Sequence, residues 1–473
     1  MKKPIFGRLD PSHYLKMGVH TYRGKFIVQL SFWVAAISVG IAAILFTRAS
    51  LFMQREYELV FELHPYLILL LTPIGFLLAA GVVRFSPMAG GSGVPQALYA
   101  AMLARDEHDG VSGAASAGTQ AIQEQLVSIK TAVVKVISTL LGFLCGASIG
   151  IEGPMVQIST AIFAAFGKKA KKLFPQLDFQ SYLVAGAGTG IAAAFNAPLG
   201  GIAFALEEVA AGDFGSLRHM VLIAIIVCGL TAQALIGNKL YFGNVMLGPI
   251  SEGFNKSFVG WAVLIGIVGG ILGGIFGRLV TNDRLRNIHV KWWMRALIFG
   301  GIVAILGFIY SGQTGETNYT ATRAFFEGEA VNRAISFPVA KLLATAFSTL
   351  AGIGGGILAP SLVVGSWLGI SIAKIAFFAN LKVCALLGMV AYFSGAFQIP
   401  ITAVIIVMEI TNQHEVIFPM MIAALCAFIV ARMIMPTSLY HLLIERTFQN
   451  GSLAASGPEG EASSSKARPK AKE

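Results

Sequence analysis

The sequence predicts an all-α protein that crosses a membrane many times and whose helices are partly broken. Three observations predict it. Of 473 residues, 55% are hydrophobic and only 12% charged, with a mean hydropathy of +0.72, more apolar than ordinary soluble chains. Apolar runs recur from residue 27 to residue 447, and some, such as 27–47 and 258–277, reach the roughly 20 residues that a spanning helix needs. Others, such as 152–166 and 399–410, are too short to cross alone. Long and short glycine-rich segments together suit the interior of a channel or transporter and exclude a single-anchor receptor.

Each element follows in chain order. Residues 1–26 open with "MKKP" and stay polar through Lys25, as befits a cytoplasmic segment without a cleavable signal. The run 27–47 is the first span, and "GSGVP" at 91–95 is the first break. Lys135 sits in an apolar helix, where a cation must be paired or face a polar centre. "GIEGP" at 150–154 starts a helix that ends at "KKAKK", 168–172, and that basic run marks the cytoplasmic side by the positive-inside rule. "FNAPLGGIAFALEEV" (195–209) supplies another proline-led helix, ending in Glu207 and Glu208. The series then recurs: a span at 258–277, a helix with Lys341, "GILAP" at 356–360, and "FQIPITAVIIVMEIT" (397–411) with Glu409. From about residue 448 the chain turns small, polar and charged, which predicts a disordered cytoplasmic tail at 448–473.

That recurrence is an internal duplication. Phe195, Pro198 and Glu207 match Phe397, Pro400 and Glu409 at a spacing of 202 residues, and "GIEGP" matches "GILAP" at a spacing of 206, as Lys135 matches Lys341. The membrane domain, 27–447, therefore divides into halves at about 27–236 and 255–447. Repeats of this kind carry their binding site at the interface between halves.

The breaks suggest what is bound. Each starts with glycine and reaches proline four residues on: Gly91-Ser92-Gly93-Val94-Pro95, Gly150-Ile151-Glu152-Gly153-Pro154 and Gly356-Ile357-Leu358-Ala359-Pro360. Proline suits the first turn of a helix, where its missing N–H costs nothing. Several helix N-termini converging at membrane depth make an anion site from free amides and partial positive charge. The net charge of +11 lies in short loops and tails, so no nucleic-acid partner is expected. Cys145, Cys228, Cys384 and Cys426 show no paired spacing and read as small core residues; with no Cys/His cluster, no metal is expected. Nor is an enzyme, since no pair of aspartates lies deep in a span and His219, His414 and His441 stand near segment ends.

"GSGVP", "GIEGP", "GILAP" and the tyrosine of "PTSLYHLLIERT" together resemble the CLC family of chloride channels and proton-coupled chloride antiporters, in its prokaryotic form without C-terminal regulatory domains, over about residues 90–447. The resemblance implies two inverted half-repeats per subunit, a homodimer in membrane lipid with one pore per subunit, and a bacterial inner (plasma) membrane with both termini cytoplasmic. It implies no cofactor beyond the transported chloride and protons. By resemblance, the anion is held by the hydroxyls of Ser92 and Tyr440 and the amides of Ile357 and Leu358. Glu152 corresponds to the family's external gating glutamate, which fills the anion's donors when ionised and swings away when protonated. Glu208 corresponds to the inner proton-transfer glutamate of the antiporters, while Glu207, matched by Glu409, is architectural. Proton-coupled exchange is the expected activity, with a passive gated channel as the alternative. Three departures stand out. Ile151 replaces the usual basic residue before the gating glutamate, Leu358 replaces a frequent phenylalanine, and a glutamate often seen after "GSGVP" gives way to the apolar run beginning at Ala97.

Overall fold

The computed structural model describes residues 22–108, 117–175, 177–209, 217–237, 240–245, 247, 256–286, 290–315, 319–329, 333–377 and 380–449. Asp213, most of the expected cytoplasmic N-terminal segment and all but the first two residues of the expected tail lie outside the described residues. The first half contains α1 (Tyr22–Leu63), α2 (Ile68–Val83), α3 (Val94–His108), α4 (Ala117–Leu126), α5 (Ile129–Leu144), α6 (Glu152–Leu173), α7 (Phe179–Phe195), α8 (Pro198–Phe204) and α9 (Arg218–Ile236). The second contains α10 (Lys256–Val280), α11 (Asp283–Arg286), α12 (Trp292–Ile309), α13 (Tyr319–Glu327), α14 (Phe337–Leu350), α15 (Leu358–Ile375), α16 (Leu381–Phe397), α17 (Pro400–Thr411), α18 (Ile417–Ile434) and α19 (Leu439–Ile444).

Among the described residues, seven helical segments are long and apolar enough to cross a membrane, or eight if the bent pair α4–α5 is one span. The protein is an integral, multi-pass membrane protein. The first span differs from its expected length, whereas the helix from Glu152 ends where expected. The first span is embedded in a helix of 42 residues, about 60 Å long at 1.5 Å per residue and so twice the thickness of the hydrocarbon core. The helix opening at Glu152 runs for 22 residues to Leu173, because the lysines of "KKAKK" are good helix formers and suit the negative end of the dipole.

The duplication extends to the caps. The side chains of Asp178 and Asn380, 202 residues apart, accept from the amides of Ser181 and Val383 at the starts of α7 and α16. Asn196 and Gln398 end the same two helices in the left-handed conformation, at φ 53° and 62°. Pro198 and Pro400 then restart the chain as α8 and α17, where the missing N–H is harmless. Both α7 and α16 are apolar all round, and they are buried against α6 and α15 respectively. Small residues permit that approach. A methyl on Gly388 of α16 would stand 2.9 Å from the Cα of Gly369 in α15.

The halves are joined by an exchange. Glu207 accepts from the amides of Ile401 (3.1 Å) and Thr402 (2.7 Å) and from the Thr402 hydroxyl (2.7 Å), capping α17. Glu409, its counterpart, accepts from the amides of Leu199 (3.2 Å) and Gly200 (2.9 Å), capping α8. Each carboxylate answers orphan N–H groups and the positive dipole end of the other half's helix. A contact that repeats with its partners interchanged defines a twofold relation, the geometry that an inverted repeat produces. Each half also buries a lysine that donates to main-chain carbonyls. Lys135 donates to the carbonyls of Gly91 (2.7 Å) and Gly90 (3.3 Å), and Lys341 to the carbonyl of Thr314 (2.8 Å).

Removing either cap exposes the interchange to test. Glu207→Ala and Glu409→Ala should each cost about 1–2 kcal/mol, lowering the thermal unfolding midpoint in detergent. Midpoints equal to wild type in both variants would show that the caps contribute nothing.

Candidate functional site

The three glycine-to-proline motifs meet, main chain on main chain. Gly150 and Gly356 exchange both N–H···O bonds at 2.8 Å. Gly91 donates to Ile353 O at 2.9 Å and accepts from the amide of Gly355 at 3.0 Å. Gly153 is held between the other two motifs, since a methyl there would stand 2.7 Å from Ser92 Oγ and 2.9 Å from Gly356 Cα. Gly93, at φ +107°, adopts a backbone that other residues avoid. Helices α3, α6 and α15 therefore begin beside one another, with Pro95, Pro154 and Pro360 in their first turns. The amides of Ile357, Leu358 and Ala359 open α15 where a helix has no internal acceptor for them. The arrangement can hold an anion without a full countercharge.

Two hydroxyls complete the centre. Ser92 is 4% exposed and Tyr440 0%, yet neither hydroxyl has a hydrogen-bond partner within the protein. Buried hydroxyls are costly to leave unpaired, and these two lie close enough to meet each other or a ligand. Tyr440 stacks on Phe397, with ring centroids 5.3 Å apart, and lies within electrostatic reach of Ser92, Glu152 and Glu208.

Glu152 opens α6 and is fully buried. Its Oε1 accepts from the Tyr241 hydroxyl at 2.9 Å. Oε2 makes no hydrogen bond of ordinary geometry, although the amides of Glu152 itself and Ala359 lie close enough to pull on the carboxyl group. The carboxylate thus stands against the first turn of α15, beside its unpaired amides. Ile151 is buried beside it, and Leu358 fills the first turn of α15.

Glu208 is adjacent to Glu207 but faces a different way. The chain from Ala205 to Val209 continues α8 in a wider π-helical turn, and successive helical residues face different directions. Glu207 reaches α17, whereas Glu208 is buried with its Oε1 lacking a hydrogen-bond partner. The half-exposed His441 brings Nδ1 to 3.8 Å from that oxygen, while the same nitrogen lies 2.8 Å from Ser438 Oγ.

Of the residues singled out in the sequence, Ser92, Glu152, Ile357, Leu358 and Tyr440 gather at one place, and Glu208 approaches it from the α8 side. Three others were not singled out. Tyr241 belongs to a segment pinned to the end of α17, where Phe242 donates to Ile410 O (3.2 Å) and Val245 to Thr411 O (3.3 Å); no local pattern announces it. Gln96 stands between Pro95 and the apolar run that begins at Ala97. Its Oε1 accepts from the amide of Gly93 (3.0 Å) and its Nε2 donates to Gly90 O (2.6 Å). Glutamine at the third helical position is half of a capping box, a signal present in the sequence. His441 carried no signal beyond standing next to Tyr440.

A family model described as voltage gated chloride channel matches residues 74–432. The chain belongs to this CLC family. It is 26% identical over 451 residues to a protein of Yersinia pestis bv. Antiqua (strain Angola) named H(+)/Cl(-) exchange transporter ClcA, covering 89% of this chain and 88% of that protein. A protein of the same name from Klebsiella pneumoniae (strain 342) is 27% identical over 415 residues, 83% of this chain and 80% of the other. Two solved structures share the CLC fold at a TM-score of 0.72 each. One, a slow cyanobacterial Cl-/H+ antiporter, is 22% identical and covers 90% of this chain and 99% of that one. The other, a CLC-type fluoride/proton antiporter, is 21% identical and covers 89% and 98%.

Tyr440→Phe keeps the ring on Phe397 and removes only the hydroxyl. Chloride binding measured by calorimetry should weaken roughly fivefold, the worth of one hydrogen bond. An unaltered affinity would remove Tyr440 from the anion's ligands.

Proposed function

We propose that this CLC protein exchanges chloride for protons across the membrane, with Glu152 as the group that both ions contend for. The observation that carries the reading is the position of that carboxylate. It is buried at the junction of three helix N-termini, next to amides and hydroxyls suited to a halide. An anion and an ionised Glu152 are alternative occupants of the same positive potential. Protonation removes the carboxylate's claim on the amides, admits the anion and loads a proton in one event. The relatives' names, exchange transporter and antiporter, support the same activity over a channel or an enzyme.

Glu208 serves as the second proton station. It faces Tyr440 on one side and, through His441, the protein surface on the other, so a proton leaving Glu152 has a buried acceptor that communicates with water. Ser92 and Tyr440, between the two glutamates, bind the anion that moves the opposite way. We further infer a homodimer with one transport path in each subunit. The reading places both termini on the cytoplasmic side of a bacterial inner membrane, the side of the lysines that end α6.

Liposomes that report chloride efflux and proton uptake together test the exchange. Wild type should drive protons uphill under a chloride gradient. Glu152→Gln should stop proton movement and leave chloride passage nearly independent of pH, because the amide cannot release a proton. Glu208→Gln should also stop protons, yet chloride flux should still rise as outside pH falls, since Glu152 still titrates. Chloride passage in wild type with no coupled proton flux would favour a passive channel and sink the proposal. His441→Ala should slow proton exchange several-fold without altering chloride affinity, and equal effects on both would make His441 a packing residue.

A further inference from the structure

Residues 240–245, outside any helix, reach Glu152, and α18 shows from which side. That helix starts just after α17 ends, and its 18 residues cover about 27 Å, enough to cross. Beyond its far end, Arg446 meets Asp283 at 3.0 Å and donates to Thr281 O, past the end of α10. Phe448 stacks there on Tyr99 of α3 at 5.1 Å. Glu107, also on α3, pairs at 3.5 Å with Lys171, one of the lysines that end α6. The end of α17 therefore lies on the face opposite those lysines. Residues 240–245 are tied to that end. Phe242 and Val245 donate to Ile410 O and Thr411 O, Gln413 Nε2 donates to Val245 O, and Asn412 Nδ2 lies 3.4 Å from Asn244 Oδ1. Gly243 turns at φ +79° against α13, where a methyl would stand 2.9 Å from Glu327 Oε1. Phe242 packs on Phe326 of α13, with ring centroids 6.4 Å apart.

This strap presents Tyr241 to Glu152. The ring meets Phe195 edge-on, centroids 5.4 Å apart, and the hydroxyl donates to Glu152 Oε1 at 2.9 Å. Among the described residues, it is the one side chain that donates to this carboxylate. The charged groups of neighbouring elements are engaged elsewhere. Lys135 of α5 and Lys341 of α14 donate to main-chain carbonyls, and Arg323 of α13 pairs with Glu327 at 2.7 Å. Tyr440 of α19 is within electrostatic reach of Glu152, and Glu208 of α8 within reach of Tyr440. Ile151, the neighbour in sequence, has no polar side-chain atom to offer. A hydrogen bond to the ionised form of an acid favours that form, and one between hydroxyl and carboxylate is charge-assisted and strong. The same contact weakens once the carboxyl is neutral.

We propose that Tyr241 is a positioning residue for the outer gate: from a strap anchored to the second half, its hydroxyl holds ionised Glu152 closed and releases it once protonated. This role rests on the reading of Glu152 as the gate. The strap then sets how acid the outside must be before chloride passes. Because its anchors lie at the end of α17 and on α13, the gate of the first half is held by the second.

Chloride efflux from liposomes, followed against outside pH, tests it. Tyr241→Phe keeps the ring on Phe195 and removes the hydroxyl. The pH of half-maximal flux should rise by about one unit, the worth of one charge-assisted hydrogen bond. Gln413→Ala, which frees the strap at Val245, should move the profile the same way by less, and it decides the matter if Tyr241→Phe does not fold. With Glu152→Gln in place, adding Tyr241→Phe should change nothing, since no ionised carboxylate remains to be held. An unmoved pH profile in folded Tyr241→Phe would overturn the proposal, whatever Gln413→Ala does. So would an equal change of flux with and without Glu152→Gln, which would assign the effect to packing of the ring. If Glu152→Gln alone kept the wild-type pH response, the gate reading would fail and take this role with it. That outcome is distinct from a failure at Tyr241, in which Glu152→Gln still abolishes the pH response.

Discussion

Everything at the centre of this protein depends on two lengths of main chain touching without side chains between them. The paired hydrogen bonds of Gly150 and Gly356, joined by those of Gly91 with Ile353 and Gly355, fix three helix N-termini at one point. Backbone this irregular survives at membrane depth only where protein satisfies its polar groups. Here the motifs satisfy one another, and Lys135, Gln96 and the hydroxyls of Ser138 and Thr139 take up what remains. Both sulphur-free donor types at the centre, amide and hydroxyl, follow from that junction: the amides are those that the helices leave over, and Ser92 lies within one of its strands.

The duplication creates the frame and the departures from it create the chemistry. Glu207 and Glu409 are equivalent and do equivalent work on α17 and α8. Glu208 has Ile410 at its matching position, 202 residues on, and Glu152 has Leu358, 206 residues on. One half therefore contributes carboxylates where the other contributes aliphatic side chains. Tyr241 reverses the direction of support, since a segment anchored on the second half holds the glutamate of the first. The centre is thus assembled from both halves, although its two glutamates come from one.

Much of this was legible from residue types alone. Proline after glycine, repeated at matched positions, places the helix starts, and an isolated carboxylate within such a start points to a role for Glu152. Glu207 could be recognised as structural because Glu409 answers it. Other features depend on contacts between residues far apart in the chain. Tyr241 meets Glu152 across 89 positions, and Gly91 meets Ile353 and Gly355 across a still longer stretch of chain. Gln96 is a different matter, for its capping pattern was present in the sequence and was masked by attention to the apolar run after it. The lengths of α1 and α6 exceeded their apolar runs because helix propensity continues through charged residues after hydrophobicity stops.

The reciprocal capping by Glu207 and Glu409 has an evolutionary consequence. A contact that is its own mirror under a twofold rotation would join two separate, identical half-length chains as well as it joins the halves of one. In such a dimer, however, every substitution appears twice, so a buried glutamate on one side only could not be encoded. Fusing the two copies into a single chain leaves the self-complementary joint intact and lets the rest of each copy diverge. Glu152 and Glu208, which have Leu358 and Ile410 at their matching positions, are differences that two identical half-chains would have no means to hold.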